Sequence, residues 1–225
     1  MIKLIIFDWD DVFTIGSKEG YFACYEQVLQ KLKIPRNIKE ERKRILSKWG
    51  GGHRETLTEL LKEHLNLIDK ACKIYEKNLF GDTYINPLSI PKGLQNLLKK
   101  LARSYTLALV TGVHPYNLKR VMRKFGIPNV FSQIITSYDL DDPHKAKPNP
   151  YMIQQIIKTQ KINHSDVIFV GDAEGDVVMA KAAGVIPVVV LTGHLTTKEA
   201  KKLNVGYIIP DVTSLNEILH KLNSL

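Results

Sequence analysis

Short apolar runs of β type alternate with stretches of helical periodicity along most of this chain, and that alternation leaves few folds open. The runs are Ile2–Phe7, Tyr105–Val110, Gln133–Thr136, Val167–Val170 and Ile186–Leu191, with a shorter one at Tyr207–Ile209. Apolar stretches with little polar alternation mark strands buried on both faces, as when helices cover a parallel sheet on each side. The segments between them carry stripes of 3.6-residue period, for example Leu94, Leu97, Leu98 and Leu101, or Leu118, Val121, Met122 and Phe125. Gly126 and Gly184 stand where left-handed helix caps are expected.

One segment breaks the alternation. From Ser17 to Asp82 there are helical stripes and no strand: Tyr21, Cys24, Tyr25, Val28, Leu29 and Leu32 form one face, Leu57, Leu60, Leu61 and Leu65 a second, and Ile68, Ala71, Cys72, Tyr75 and Leu79 a third. The expected organisation is a core domain of residues 1–16 and 83–225 interrupted by an α-helical domain of residues 17–82. Leaving after the first strand and returning near Pro87 to Pro91, the insert is expected above the carboxyl ends of the strands, where open α/β sheets bind ligands.

The length of 225 residues suffices for such a core, and 44% hydrophobic with 24% charged residues is a globular composition. The apolar start, Met1–Phe7, is too short for a signal-peptide core and runs straight into Asp8, and no apolar run nears the ~20 residues of a membrane span. A cytoplasmic protein without a membrane partner is expected. Cys24 and Cys72 fit no metal-ligand spacing and fall in helical stripes, as small core residues. The net charge of +9, from 32 basic and 23 acidic residues, is spread along helix surfaces without the interleaved aromatics of a nucleic-acid platform. This pattern argues for a solvated basic surface and against nucleic acid.

The chemistry gathers at strand ends. Asp8-Trp9-Asp10-Asp11-Val12 follows the first strand, and two carboxylates two residues apart reach one shared space if the backbone turns sharply. An aspartate can attack phosphorus directly, and a second carboxyl can move the protons; read alone, the pair could equally be turn acids capping a helix. The second strand ends in Thr111-Gly112 ahead of Pro115 and a helix, where a hydroxyl and freed N–H groups make an anion site. In Lys147-Pro148-Asn149-Pro150 two prolines stiffen the loop that presents Lys147, favouring it over Lys145 as the ammonium for phosphate charge. Gly171-Asp172-Ala173-Glu174-Gly175-Asp176 ends the fourth strand with hard oxygen donors of the kind Mg²⁺ takes. Asp172 is the direct ligand in this reading; Asp176 acts through water or by orienting Lys147.

These four strand-end motifs in this order resemble those of the haloacid dehalogenase-like superfamily, over essentially the whole chain. The helical insert is similar to the cap of its phosphoglycolate phosphatase and β-phosphoglucomutase branch. The resemblance implies a Rossmann-like parallel sheet with an inserted α-helical cap, and a Mg²⁺-dependent phosphatase acting on a small phosphorylated metabolite through an aspartyl-phosphate. It implies Asp8 as nucleophile, Asp10 as general acid/base with its carbonyl on the metal, Thr111, Gly112 and Lys147 on the phosphate, and Asp8, Asp10, Asp172 and Asp176 around Mg²⁺. Asp11 departs from the glycine that many relatives carry there. A phosphomutase would use the same core residues, and a non-catalytic phosphate-ligand or nucleic-acid-binding protein would keep the fold without turnover. In the glycine-rich break Trp49-Gly50-Gly51-Gly52-His53-Arg54-Glu55, similar to the cap loop that relatives aim at the substrate, Arg54 is the candidate for a carboxylate or second phosphate. The sequence favours neither a monomer nor a homodimer.

Overall fold

The computed structural model describes residues 1–224, which divide into two compact units: Met1–Ile15 with the chain from Ser89 onward, and Gly16–Leu88. The helical unit thus runs past Asp82 to Leu88, close to the return expected near Pro87 to Pro91. Residues Asp82–Ile85 form a further short helix, and Tyr84 from it is buried with its ring centroid 4.8 Å from that of Tyr21.

The first unit carries six parallel strands, β1 (Leu4–Phe7), β2 (Thr106–Thr111), β3 (Gln133–Thr136), β4 (Val167–Gly171), β5 (Ile186–Val190) and β6 (Tyr207–Ile209). Their order is β3-β2-β1-β4-β5-β6. The chain winds outward from β1 to β3, crosses back beside β1, and winds outward again from β4 to β6. The reversal lies between β1 and β4, and the crevice outside the carboxyl ends of these two strands is where such sheets take ligands. Phe7 is level with Leu109 of β2 and Val170 of β4, so the segments after all three strands emerge together.

The apolar runs have the expected cause. Leu4, Ile6, Val167 and Phe169 pack one face of the sheet against Met152, Ile153 and Ile156 of the helix Tyr151–Gln160 and Met179 and Ala180 of the helix Glu174–Ala182. Their neighbours Ile5 and Phe7 are equally buried. Each such side chain contributes about 1.5–3 kcal/mol by leaving water, which makes β1 and β4 a firm platform for the acidic turns at their carboxyl ends. Gly126 and Gly184 take φ of 62° and 71°, closing their helices as left-handed caps. Where the chain departs and returns, Ile15 and Ser89 exchange backbone hydrogen bonds of 2.8 and 3.0 Å.

The second unit contains the helices Ser17–Lys31, Ile38–Ser47, His53–Leu60, Ile68–Leu79 and Asp82–Ile85. The buried rings of Tyr25 and Tyr75 lie with centroids 4.4 Å apart, tilted by 32°, and Cys24 and Cys72 are buried as well. Leu65, expected on the face of Leu57, Leu60 and Leu61, is exposed, because residues Leu65–Leu67 form a separate 3-10 turn that rotates it off that face. Among the described residues, no helix is long and apolar enough to cross a membrane.

Candidate active site

Asp8 continues the sheet for one residue beyond β1, its N–H donating to the Val170 carbonyl at 2.9 Å. The chain then folds back: Phe13 N–H donates to the Trp9 carbonyl at 2.9 Å, and Asp11 takes φ of 53°. Trp9 is fully buried, with its ring edge-on to Phe13 at 5.6 Å. An inward tryptophan between two acids accounts for the Asp-x-Asp spacing. Asp10 stays partly exposed, near enough that its charge opposes ionisation of Asp8.

Lys147 crosses to this turn from the loop ahead of the helix Tyr151–Gln160, and the Lys147–Pro148 peptide in that loop is cis. Its Nζ lies 2.6 Å from Asp8 Oδ1 and 2.9 Å from Asp176 Oδ1. Lys145 turns away, paired with Asp141 at 2.8 Å and lying over the Tyr151 ring. The second oxygen of Asp176 accepts the N–H groups of Asp172 and Ala173, each at 3.1 Å. Both Asp176 oxygens are therefore engaged by protein donors, whereas Glu174 is exposed. Gly171 permits this arrangement: a Cβ there would lie 2.5 Å from the Asp176 Cβ.

Electrostatics follow from burial. Desolvation pushes the Asp8 carboxyl up to about 7 against the pull of Lys147, with the charge of Asp176 adding to the rise. Desolvation likewise raises Asp172 well above the usual carboxylate range, aided by Asp176 and Asp8. Burial alone would lower Lys147, but Asp176 and Asp8 hold it above its ordinary value. Carboxylate oxygens of Asp8, Asp172 and Asp176 lie within 4.8 Å of one another. Buried carboxyl groups this close together offer hard oxygen donors and gain from a cation that offsets their mutual repulsion, a set that fits a hard divalent cation.

Thr111 ends β2, beside the strand that bears Asp8, and is buried with its hydroxyl oxygen accepting the Val113 N–H at 3.1 Å. Gly112 is exposed directly ahead of the helix Pro115–Phe125, with Pro115 in its first turn. Arg54 belongs to the helical unit, where its guanidinium pairs with Asp69 at 2.7 Å, both side chains being exposed. A fifth strand end, absent from the four sequence motifs, also reaches the site. After β5, Thr192 donates its hydroxyl proton to the Asp11 carbonyl, and the His194 N–H donates to Asp172 Oδ2 at 2.9 Å. The sequence carries a signal for it, since Thr192-Gly193-His194 follows an apolar run as the other motifs do.

Comparison with known proteins bears on this arrangement. The family model for the haloacid dehalogenase-like hydrolase matches residues 5–190. Phosphoglycolate phosphatase from Vibrio parahaemolyticus is 23% identical, over 97% of this chain and 96% of its own length. Among solved structures, a HAD-superfamily hydrolase of subfamily IA from Geobacter sulfurreducens superposes with a TM-score of 0.73 at 22% identity, over 97% of this chain and 96% of that one. A protein from Thermotoga maritima described as a β-phosphoglucomutase gives 0.75 at 18% identity, over 98% and 99%.

Proposed function

The chain belongs to the haloacid dehalogenase-like hydrolase family, and on that premise we propose that it is a Mg²⁺-dependent phosphatase of small phosphorylated metabolites, similar to phosphoglycolate phosphatase, working through an aspartyl-phosphate on Asp8. One observation carries the reading: the Lys147 ammonium stands 2.6 Å from the Asp8 carboxylate, at the switch point of the sheet, with Asp172 beside them.

In this reading Asp8 attacks the phosphorus of a phosphate ester while Asp10 gives its proton to the departing oxygen. Asp10 then takes a proton from water, the water oxygen bonds to phosphorus, and the bond to Asp8 breaks to release inorganic phosphate. Thr111 and Gly112 grip the phosphoryl oxygens at the start of their helix, and Lys147 offsets the charge that spreads over those oxygens in the transition state. Asp8 and Asp172, with the Asp10 carbonyl, would hold the cation, and Asp176 keeps Lys147 in place. Bound Mg²⁺ would neutralise charge on the phosphate and the attacking carboxylate. Arg54 would grip a second anionic group of the substrate.

The test is phosphate release from an aryl phosphate and a panel of phosphorylated metabolites, with and without Mg²⁺, by the native chain and Asp8→Asn. Mg²⁺-dependent release that vanishes in Asp8→Asn is the expected result, and the best panel member names the substrate class. Phosphoryl transfer to a sugar phosphate without net phosphate release would assign a phosphomutase instead. Binding of phosphorylated ligands without any turnover would make the chain a non-catalytic binder.

A further inference from the structure

We propose that the turn after β5, Thr192–Leu195, is a positioning element that holds Asp172 for the divalent cation and so sets the affinity of the site for it. This rests on the cation reading above. No residue of this turn falls within the four strand-end motifs.

The turn grips Asp172 at two points. Leu195 N–H donates to its backbone carbonyl at 2.9 Å and His194 N–H to its Oδ2 at 2.9 Å, which leaves the other carboxylate oxygen for a ligand. Asp172 is buried, with a carboxylate oxygen within 4.8 Å of those of Asp8 and Asp176. The bond from a backbone amide fixes its Oδ2, and the rotamer is chosen by it.

Gly193 shows how close the contact is. A Cβ at this position would lie 1.8 Å from Asp172 Oδ2. Gly193 is not among the residues of positive φ, so the Asp172 side chain, whose Oδ2, Cγ and Cβ would all lie within 2.6 Å of the added atom, is what excludes a larger residue. The third tether runs to the nucleophile turn: the Thr192 hydroxyl donates to the carbonyl of Asp11, whose φ of 53° marks the bend after Asp8 and Asp10. The turn after β5 therefore joins the segments at the ends of β1 and β4, the two that carry the proposed ligands. The His194 ring stands at the same place, its nitrogen and the carboxylate oxygens of Asp11 and Asp172 lying within 4.8 Å of one another.

The experiment measures Mg²⁺ binding by titration calorimetry on the full chain, in the native form and in Gly193→Ala, Thr192→Val and Thr192→Ser, with phosphate release monitored in parallel. Expected are a Kd for Mg²⁺ raised about tenfold or more in Gly193→Ala and a few-fold in Thr192→Val, with native affinity in Thr192→Ser. At saturating Mg²⁺ the KM for the phosphate ester stays native in all three. Circular dichroism checks that Gly193→Ala folds; if it does not, Thr192→Val against Thr192→Ser decides. Native Mg²⁺ affinity in Thr192→Val and in folded Gly193→Ala overturns the proposal and leaves the phosphatase reading standing. Absence of Mg²⁺ binding by the native chain overturns both.

Discussion

Lys147 Nζ lies 2.6 Å from Asp8 Oδ1 and is held by Asp176 at 2.9 Å, so the ammonium next to the proposed nucleophile is itself placed by a carboxylate in the first turn of the helix after β4. If Asp176 acts through Lys147, the two positions behave as a unit. Lys147→Ala is expected to lower kcat/KM by about 10²–10³, the usual effect of losing one preorganised charge partner. Asp176→Asn lowers it less, and the double variant is hardly worse than Lys147→Ala alone. Steady-state kinetics on the three variants check this, and multiplicative losses would assign Asp176 a separate role.

The buried carboxylates make the metal-free protein pH-sensitive in a direction that can be worked out. Asp8 titrates near 7 when folded against 3.8 as its ordinary value, so between these pH values the folded state holds more protons than the unfolded. The stabilising contribution is full below about 4 and is lost as pH rises through about 7, on the order of 4 kcal/mol for a site of this shift. Metal-free protein is therefore expected to melt higher at pH 5.5 than at pH 7.5, a difference that Mg²⁺ reduces while binding releases protons. Thermal melts with chelator or Mg²⁺ measure the first effect, and calorimetry in buffers of different ionisation enthalpy the second.

The same charge excess predicts that loss of the Asp8 carboxylate stabilises the metal-free protein. Metal-free Asp8→Asn is expected to melt above the native chain at pH 7.5, while the difference narrows toward pH 5, where Asp8 is protonated in the native chain as well. Equal melting temperatures at both pH values would show that Lys147 already balances Asp8 fully.

Gly171→Ala tests the packing behind the site. A Cβ would meet Asp176 at 2.5–2.6 Å, and overpacking of that kind costs about 1–3 kcal/mol. Urea denaturation should show the loss in stability, and activity should fall with it, because the atom displaced belongs to the carboxylate that holds Lys147.

Arg54 is exposed, with an ion pair to Asp69 at the surface and a long contact of 4.0 Å to Cys72 Sγ, so Arg54→Ala is expected to leave the melting temperature nearly unchanged. If Arg54 grips a second anionic group, KM for the best metabolite rises about 10- to 100-fold, as loss of a charge-assisted bond implies, while the aryl phosphate is hydrolysed as before. Equal KM changes for the two substrates would remove Arg54 from the binding site.

Much of the fold is legible in the sequence because burial on both faces writes each strand as an apolar run. The runs Gln133–Thr136 and Tyr207–Ile209 coincide with β3 and β6, and the others differ from their strands by a residue or two at the ends. The helix Ile38–Ser47 shows no apolar stripe, since its buried residues are Ile45 and Glu41, and the latter is inside through its pairing with Arg36 at 2.7 Å. The helix Asp82–Ile85 escapes the sequence pattern for a similar reason: four residues are too few to show a period, and Tyr84 is buried by contacts with distant Tyr21.

The sequence by itself determined which residue types stand at the strand ends, since the turn after each buried strand is where polar groups can leave the sheet and meet solvent or ligand. That local pattern also separates the parallel sheet from the helical insert. Only the tertiary structure decided the pairings: that β4 lies beside β1, that Lys147 bridges Asp8 and Asp176, that the second oxygen of Asp176 takes the Asp172 turn, and that the turn after β5 closes on Asp172. The physical reason is that apolar burial is set by each segment's own composition, whereas a hydrogen bond or ion pair exists only once two segments distant in the chain are neighbours in space.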